Sequence, residues 1–153
     1  VLGNHIINVS GARIGAHLDA HCSAVGKVLL AHCTPVELER NVFDKELRRL
    51  TPTTITDPAQ LRRELRAVLT NGCAFDAGEA AADVHCVAAP IRDDMGVVVA
   101  ALSITAPSTR FQAAQQEYRR AVIVAAATVS KTIAASESSV PSELGNPTLV
   151  AVS

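Results

Sequence analysis

Two β-rich runs, His85–Arg92 and Val97–Thr105, flank the tetrapeptide Asp93-Asp94-Met95-Gly96, and no other feature of the chain narrows its fold as much. Asp and Gly tolerate the backbone angles of a tight reversal, so the segment predicts a β-hairpin. The second arm is apolar without a break from Val97 to Leu102, which predicts a strand lying centrally in its sheet. Cys73-Ala74-Phe75-Asp76 reads as a shorter strand, and Ile6-Ile7-Asn8-Val9-Ser10, halted by Gly11, as another near the start.

Helix signals surround these strands. Ser23 suits an N-cap, and Val28, Leu29 and Ala31 fall on one face of a helix that it would open. Gly26 inside that helix costs about 1 kcal/mol relative to Ala, so it serves close packing or close approach of a ligand. Thr34-Pro35-Val36-Glu37 has the capping-box pattern, with Pro at the first helical position. Asp57-Pro58 starts a third helix with the stripe Leu61, Leu65, Val68 and Leu69, closed by Asn71-Gly72. Between them, 50–56 is polar and β-branched and reads as an extended connector. Pro107-Ser108 ends the last strand, and a long amphipathic helix is expected over about 111–135. The order is strand, three helical segments, a strand meander and a long helix, which predicts an α+β domain over 1–135 with helices on a twisted antiparallel sheet. A mobile tail is expected over 136–153.

Of the 153 residues 48% are hydrophobic but only 3% aromatic, so the core must be built from Ala, Val, Leu and Ile. No apolar run reaches the ~18 residues that a membrane span needs, and no signal peptide is visible. The first residue is not Met, which suggests a piece of a longer chain. Lys and Arg number 14 against 15 Asp and Glu, a net charge of −1. The densest basic cluster (Arg48, Arg49, Arg62, Arg63, Arg66) alternates with Glu46 and Glu64 and reads as a solvated helix face, so nothing here grips DNA phosphates. Cys22, Cys33, Cys73 and Cys86 lack CxxC spacing and are expected as reduced thiols in a cytoplasmic protein.

Four stretches, in order, resemble the C-terminal domain of the IclR family of bacterial transcriptional regulators. They are Gly15-x-x-Leu18-x-x-His21-x-x-Ala24-x-Gly26-Lys27-x-Leu29-Leu30-Ala31, then Thr51-x-x-Thr54-Ile55-Thr56-Asp57 with Leu61, Glu64 and Leu65. Gly72-x-Ala74-x-Asp76-x-x-Glu79 with Cys86–Asp93 follows, and last Val98-x-Ala100-Ala101-Leu102-Ser103-Ile104 with Pro107 and Arg110. The resemblance covers about 14–135. It implies a GAF-like (profilin-like) fold with a pocket for a small organic effector, no enzymatic activity and no cofactor. It also implies a homodimer or homotetramer, and DNA binding only through an N-terminal winged helix-turn-helix expected to be absent from this chain.

By the same resemblance, Asp76, Cys86, Ser103 and Thr105 match effector-lining positions. Ala24 and Val25 match the place where backbone amides meet the effector's carboxylate, and Leu18 contributes apolar wall. Ser103 and Thr105 are two apart on one strand and so share a face. An unpaired first helical turn is an anion site in its own right. Plainer roles stay open: Ser103 and Thr105 bonding nearby backbone, Cys86 as a small buried hydrophobe, Asp76 capping its loop. Asp19-Ala20 stands where the family usually has Pro and an apolar residue, and a carboxylate pointing inward there would repel an anionic effector.

The His-Cys pairs His21-Cys22, His32-Cys33 and His85-Cys86 raise the question of zinc. His21, Asp76 and Cys86 are the candidate ligands, but metal-site spacing is missing and no metal is expected. The rival readings are a thiol- or metal-dependent hydrolase using Cys86 with His21 or His85, and a dimerisation module whose long Ala-rich helix forms an interface.

Overall fold

A computed structural model describes residues 19–137. The strand expected at 6–10, Leu18 and the tail from 138 lie outside the described residues. A 3-10 turn, Ala20–Cys22, leads into α1 (Ala24–Ala31) and α2 (Pro35–Leu38). A wide helical turn over Glu39–Phe43 continues α2 and is followed by α3 (Pro58–Asn71). The strands β1 (Ala74–Ala77), β2 (Val84–Arg92) and β3 (Val98–Pro107) come next, and α4 (Ser108–Glu137) closes the order.

The helix ends form where the sequence marks them. Ser23 Oγ accepts from the Gly26 amide at 3.1 Å. Thr34 and Glu37 exchange both bonds of the capping box. Asp57 accepts from the amides of Ala59 and Gln60, and Gly72 ends α3 with φ +69°, a conformation that a side chain would oppose. Each motif satisfies amides or carbonyls that the helix leaves unpaired. Leu69 departs from expectation: Leu61, Leu65 and Val68 are buried, whereas Leu69 is on the outside of α3. At 100° per residue, the position after Val68 has already turned off the buried stripe.

The sheet is an antiparallel meander in the order β1-β2-β3, with Asp76 opposite Cys86 and Cys86 opposite Thr105. Among the described residues β2 pairs on both sides and β3 on one. β3 also runs through Pro107 rather than stopping before it, and α4 follows at once. Proline at the end of a strand removes only one donor from the ladder. One α4 residue, Ala114 (φ −124°, ψ 17°), leaves helical geometry, and the helix otherwise spans the expected stretch.

Residues 50–56 form a threonine turn rather than an extended connector. Thr54 Oγ1 accepts from the amides of Leu50 and Thr51 and donates to the Glu79 carbonyl at 2.7 Å. Thr51 Oγ1 donates to the Gly78 carbonyl at 2.7 Å. Hydroxyls that can bond backbone locally favour turns over strands. This turn staples the α2–α3 connection to the loop after β1.

Two apolar layers result. On one face of the sheet Ala74, Ala88 and Ala101 pack with Ala24 and Val28 of α1 and Leu61 and Leu65 of α3. On the other, Cys73, Val87, Ala89 and Ile91 pack with Phe111, Val122 and Ala126 of α4. Arg92 at the end of β2 links the layers. Its amide donates to Ser130 Oγ of α4 and its guanidinium to the Gly96 carbonyl. It also donates to Nε2 of His32, the residue that ends α1. His32 Nδ1 donates to the Val28 carbonyl at 2.8 Å, so the neutral ring presents Nε2 as an acceptor.

Candidate functional site

Side chains alternate across a strand, and the register places Asp76, Cys86 and Thr105 in one row on the α1 face, with Ser103 in the next row opposite Ala88. Asp76 is buried, while Cys86, Ser103 and Thr105 are half-buried. Cys86 Sγ and Thr105 Oγ1 are 3.2 Å apart. Burial pushes the Cys86 thiol up to about 11, Thr105 opposing and Asp76 adding to the shift. Asp76 Oδ1 accepts from the Glu79 amide at 2.6 Å, which fits the loop-capping role. Burial raises the Asp76 carboxyl above its usual range against the pull of the Glu79 and Ala80 amides.

The helix α1 packs across all three strands. Ala24 and Val25 form its first turn, where a helix has no carbonyl to offer their amides. Gly26 is required by packing: a Cβ there would run into the backbone of Ala20. The 3-10 turn thus lies directly on the first turn of α1.

Lys27 carries a role that the sequence reading passed over. It is fully buried, and its ammonium donates to Glu79 Oε1 at 2.5 Å, to the Phe75 carbonyl at 3.0 Å and to Glu64 Oε1 at 3.4 Å. All three donors are therefore engaged. Burial raises the Glu79 carboxyl, opposed by Lys27. Glu79 Oε2 is buried with no partner among the described residues. Glu64, read as part of a solvated face, is recruited inward. The available signal was an unpaired Lys inside an otherwise apolar helical segment.

Asp19 does not point free into the site. Its Oδ2 accepts from Arg48 Nε at 3.0 Å and from Nη2 at 2.8 Å, so the charge is neutralised in place. His21 is buried with Nε2 at 3.0 Å from the Arg48 carbonyl. His85 stacks edge-on against Phe111 on the α4 face, opposite its neighbour Cys86. The three proposed metal ligands therefore do not converge, and among the described residues no group of three His, Cys, Asp or Glu could hold a metal ion. A hydrolytic Cys86 would likewise have neither histidine as its base. Two surface cavities lie elsewhere: about 380 Å³ beside Lys45, Arg49 and Pro58, and about 250 Å³ beside Gly72, Pro90 and Ile123.

A helix packed over a row of polar side chains on an antiparallel sheet defines an α+β domain. Comparison with known proteins makes this specific. Residues 7–131 match the family described as Bacterial transcriptional regulator IclR C-terminal. The chain is 35% identical over 113 residues to the HTH-type transcriptional regulator BhcR of Paracoccus denitrificans, covering 74% of this chain and 40% of that one. Among solved structures, the C-terminal domain of the E. coli transcriptional regulator KdgR superposes with TM-score 0.69 at 34% identity, covering 75% of this chain and 71% of that one. The inducer-binding domain of PobR from Acinetobacter, a double mutant in complex with 3-hydroxybenzoic acid, gives 0.68 at 27%, covering 80% and 73%. The chain belongs to the IclR family and corresponds to its C-terminal effector-binding domain, a ligand-sensing regulatory domain. It spans about two fifths of the length of the curated relatives that it matches.

Proposed function

We propose that this domain binds a small organic carboxylate between the first turn of α1 and the Ser103–Thr105 stretch of β3. The amides of Ala24 and Val25 receive the acid group, Ser103, Thr105 and Cys86 receive the remaining polar atoms, and Leu18 adds apolar wall. Asp76 sets the loop beside them. The observation that carries the reading is the polar row Asp76–Cys86–Thr105, with Ser103 beside it, on the sheet face that α1 covers. The acid-bound relative PobR supports the ligand class. The thiol of Cys86, held up to about 11, and the diversion of both histidines support sensing without turnover.

In the whole protein, this reading makes the domain a cytoplasmic homodimeric or homotetrameric sensor, with DNA held by a winged helix-turn-helix outside this chain. Val124 exposed on α4 supports self-association along that helix. Ligand controls DNA binding only as far as it binds two arrangements of the subunits unequally. A thermal-shift screen of short 2-oxo acids and hydroxybenzoates, with their amides as neutral controls, tests the ligand class. A ligand at about 100 times its dissociation constant adds about 2.7 kcal/mol. Shifts from acids but not amides, reduced in Ser103→Ala, are expected. Equal shifts from acids and amides, or none from either, would rule out the carboxylate reading.

A further inference from the structure

We infer that Arg48 is the charge-selecting residue of this site: by clasping Asp19 it keeps the approach to the first turn of α1 open to an anion. The inference rests on the carboxylate reading above and adds a residue from a different segment to it.

The geometry is local and mutually supporting. Asp19 opens the turn whose next residue, Ala20, lies against Gly26 so closely that no side chain fits between them. Its carboxylate is close enough to act on the buried Cys22 thiol, which also feels Asp76 of the polar row. Arg48 meets that carboxylate with two donors, at 3.0 and 2.8 Å. The same arginine's carbonyl meets the buried His21 Nε2 at 3.0 Å, so backbone and side chain both grip the turn. On either side of Arg48, Leu47 is buried in the α1 layer and Thr51 is bonded to the loop that follows Asp76. The guanidinium thus stands on an anchored arch.

The pair itself is exposed, with 71% of the Arg48 side chain accessible and 37% of Asp19. Pairs of this kind contribute little to stability. What the clasp changes is the field at the site. With Arg48 in place, Asp19 is cancelled at contact distance. Without it, a bare carboxylate stands on the turn that packs against the first turn of α1, and its repulsion of a second carboxylate bound there is worth about three- to tenfold in affinity at low salt.

The test is a double-mutant cycle on the full 153-residue chain with two probes, pyruvate and 3-hydroxybenzoate, and pyruvamide and 3-hydroxybenzamide as neutral counterparts. Arg48→Ala is expected to weaken acid binding about three- to tenfold at low ionic strength, less in high salt, and to leave the amides unchanged. Asp19→Asn/Arg48→Ala is expected to restore acid binding. A loss in Arg48→Ala that the Asp19 change does not restore would mean that Arg48 touches the ligand itself, and the clasp would be wrong. Unchanged acid affinity in Arg48→Ala would be equally fatal.

A ligand-free measurement separates this inference from the parent reading. Cys22 is buried and donates to the Asp19 carbonyl at 3.1 Å, so a released turn exposes it. Alkylation at Cys22, read by mass spectrometry, is expected to quicken severalfold in both Arg48→Ala and Asp19→Asn. If neither acid binds the unaltered chain, the carboxylate reading falls. The charge-selecting role of Arg48 falls with it, whereas acid binding with unquickened labelling in both variants overturns the clasp alone.

Discussion

Cys86 and Val87 are consecutive on β2 and sit on opposite faces of one sheet. Val87 is sealed among Ala89, Phe111 and Val122, with Phe75 and Tyr118 set around the Phe111 ring. Cys86 is half-buried in a row with Asp76 and Thr105, and the fully buried side chains of the helix that covers that face include a lysine, Lys27. The α4 face is packed with apolar groups and needs no partner. The α1 face is built from alanines in its sheet and spends its polar groups at one end, under the start of a helix. A strand with period two can serve both purposes at once, because alternate residues answer to different neighbours. Apolar packing and the polar row are thereby assigned to alternate positions of the same strands, and under the proposed function these serve stability and recognition.

That division can be attacked by substitution. Phe111→Ala should cause the largest loss, about 3–5 kcal/mol in urea unfolding, since it empties the centre of the α4 layer. It should leave the ligand affinity of the folded fraction unchanged, and a large affinity loss would break the division. Lys27→Met should cost about 3 kcal/mol by leaving Glu79 buried without its cation. Adding Glu79→Gln should recover part of that loss, and no recovery would show that the lysine acts through packing alone. Thr105→Val should cost only about 1 kcal/mol of stability, the worth of one hydrogen bond. It should nevertheless weaken the acid probes while Phe111→Ala does not.

The smallest effects should come with pH, and they too belong to one side of the molecule. Asp76 and Glu79 have raised carboxyls in the fold, so the folded state holds protons that the unfolded chain has released. Their contribution is fully present below the ordinary carboxylate range and is lost as pH rises through their raised values. Urea midpoints measured upward from about pH 4 should therefore show a declining component that Asp76→Asn removes. Cys22 and Cys86, raised from 9.0 to about 11, should give a second decline as pH rises through that window.

Local chemistry was readable in advance. The caps at Ser23, Thr34 and Asp57, the stop at Gly72 and the Asp93–Gly96 turn depend on residues a few positions apart, and all formed. The shared face of Ser103 and Thr105, and the opposition of His85 and Cys86, followed from strand parity; that Cys86 joins the first pair came from the resemblance. What escaped depended on distant partners. Lys27 has no visible role until Glu79, 52 positions away, comes to meet it. Asp19 reads as a repulsive charge until Arg48, 29 positions away, cancels it. The threonines at 51 and 54 read as strand formers until the loop at 78–79 offers them carbonyls.

One further consequence concerns α1 as a mechanical part. Its first turn is wedged against the backbone of Ala20 through Gly26, and its last residue runs into His32, which the Arg92 guanidinium ties to β2, while the Arg92 amide donates to Ser130 Oγ of α4. An eight-residue rod held at both ends cannot slide along its own axis without loading both mounts. A molecule wedged in at its front end therefore strains the mount at its rear, and that mount is the foot of α4.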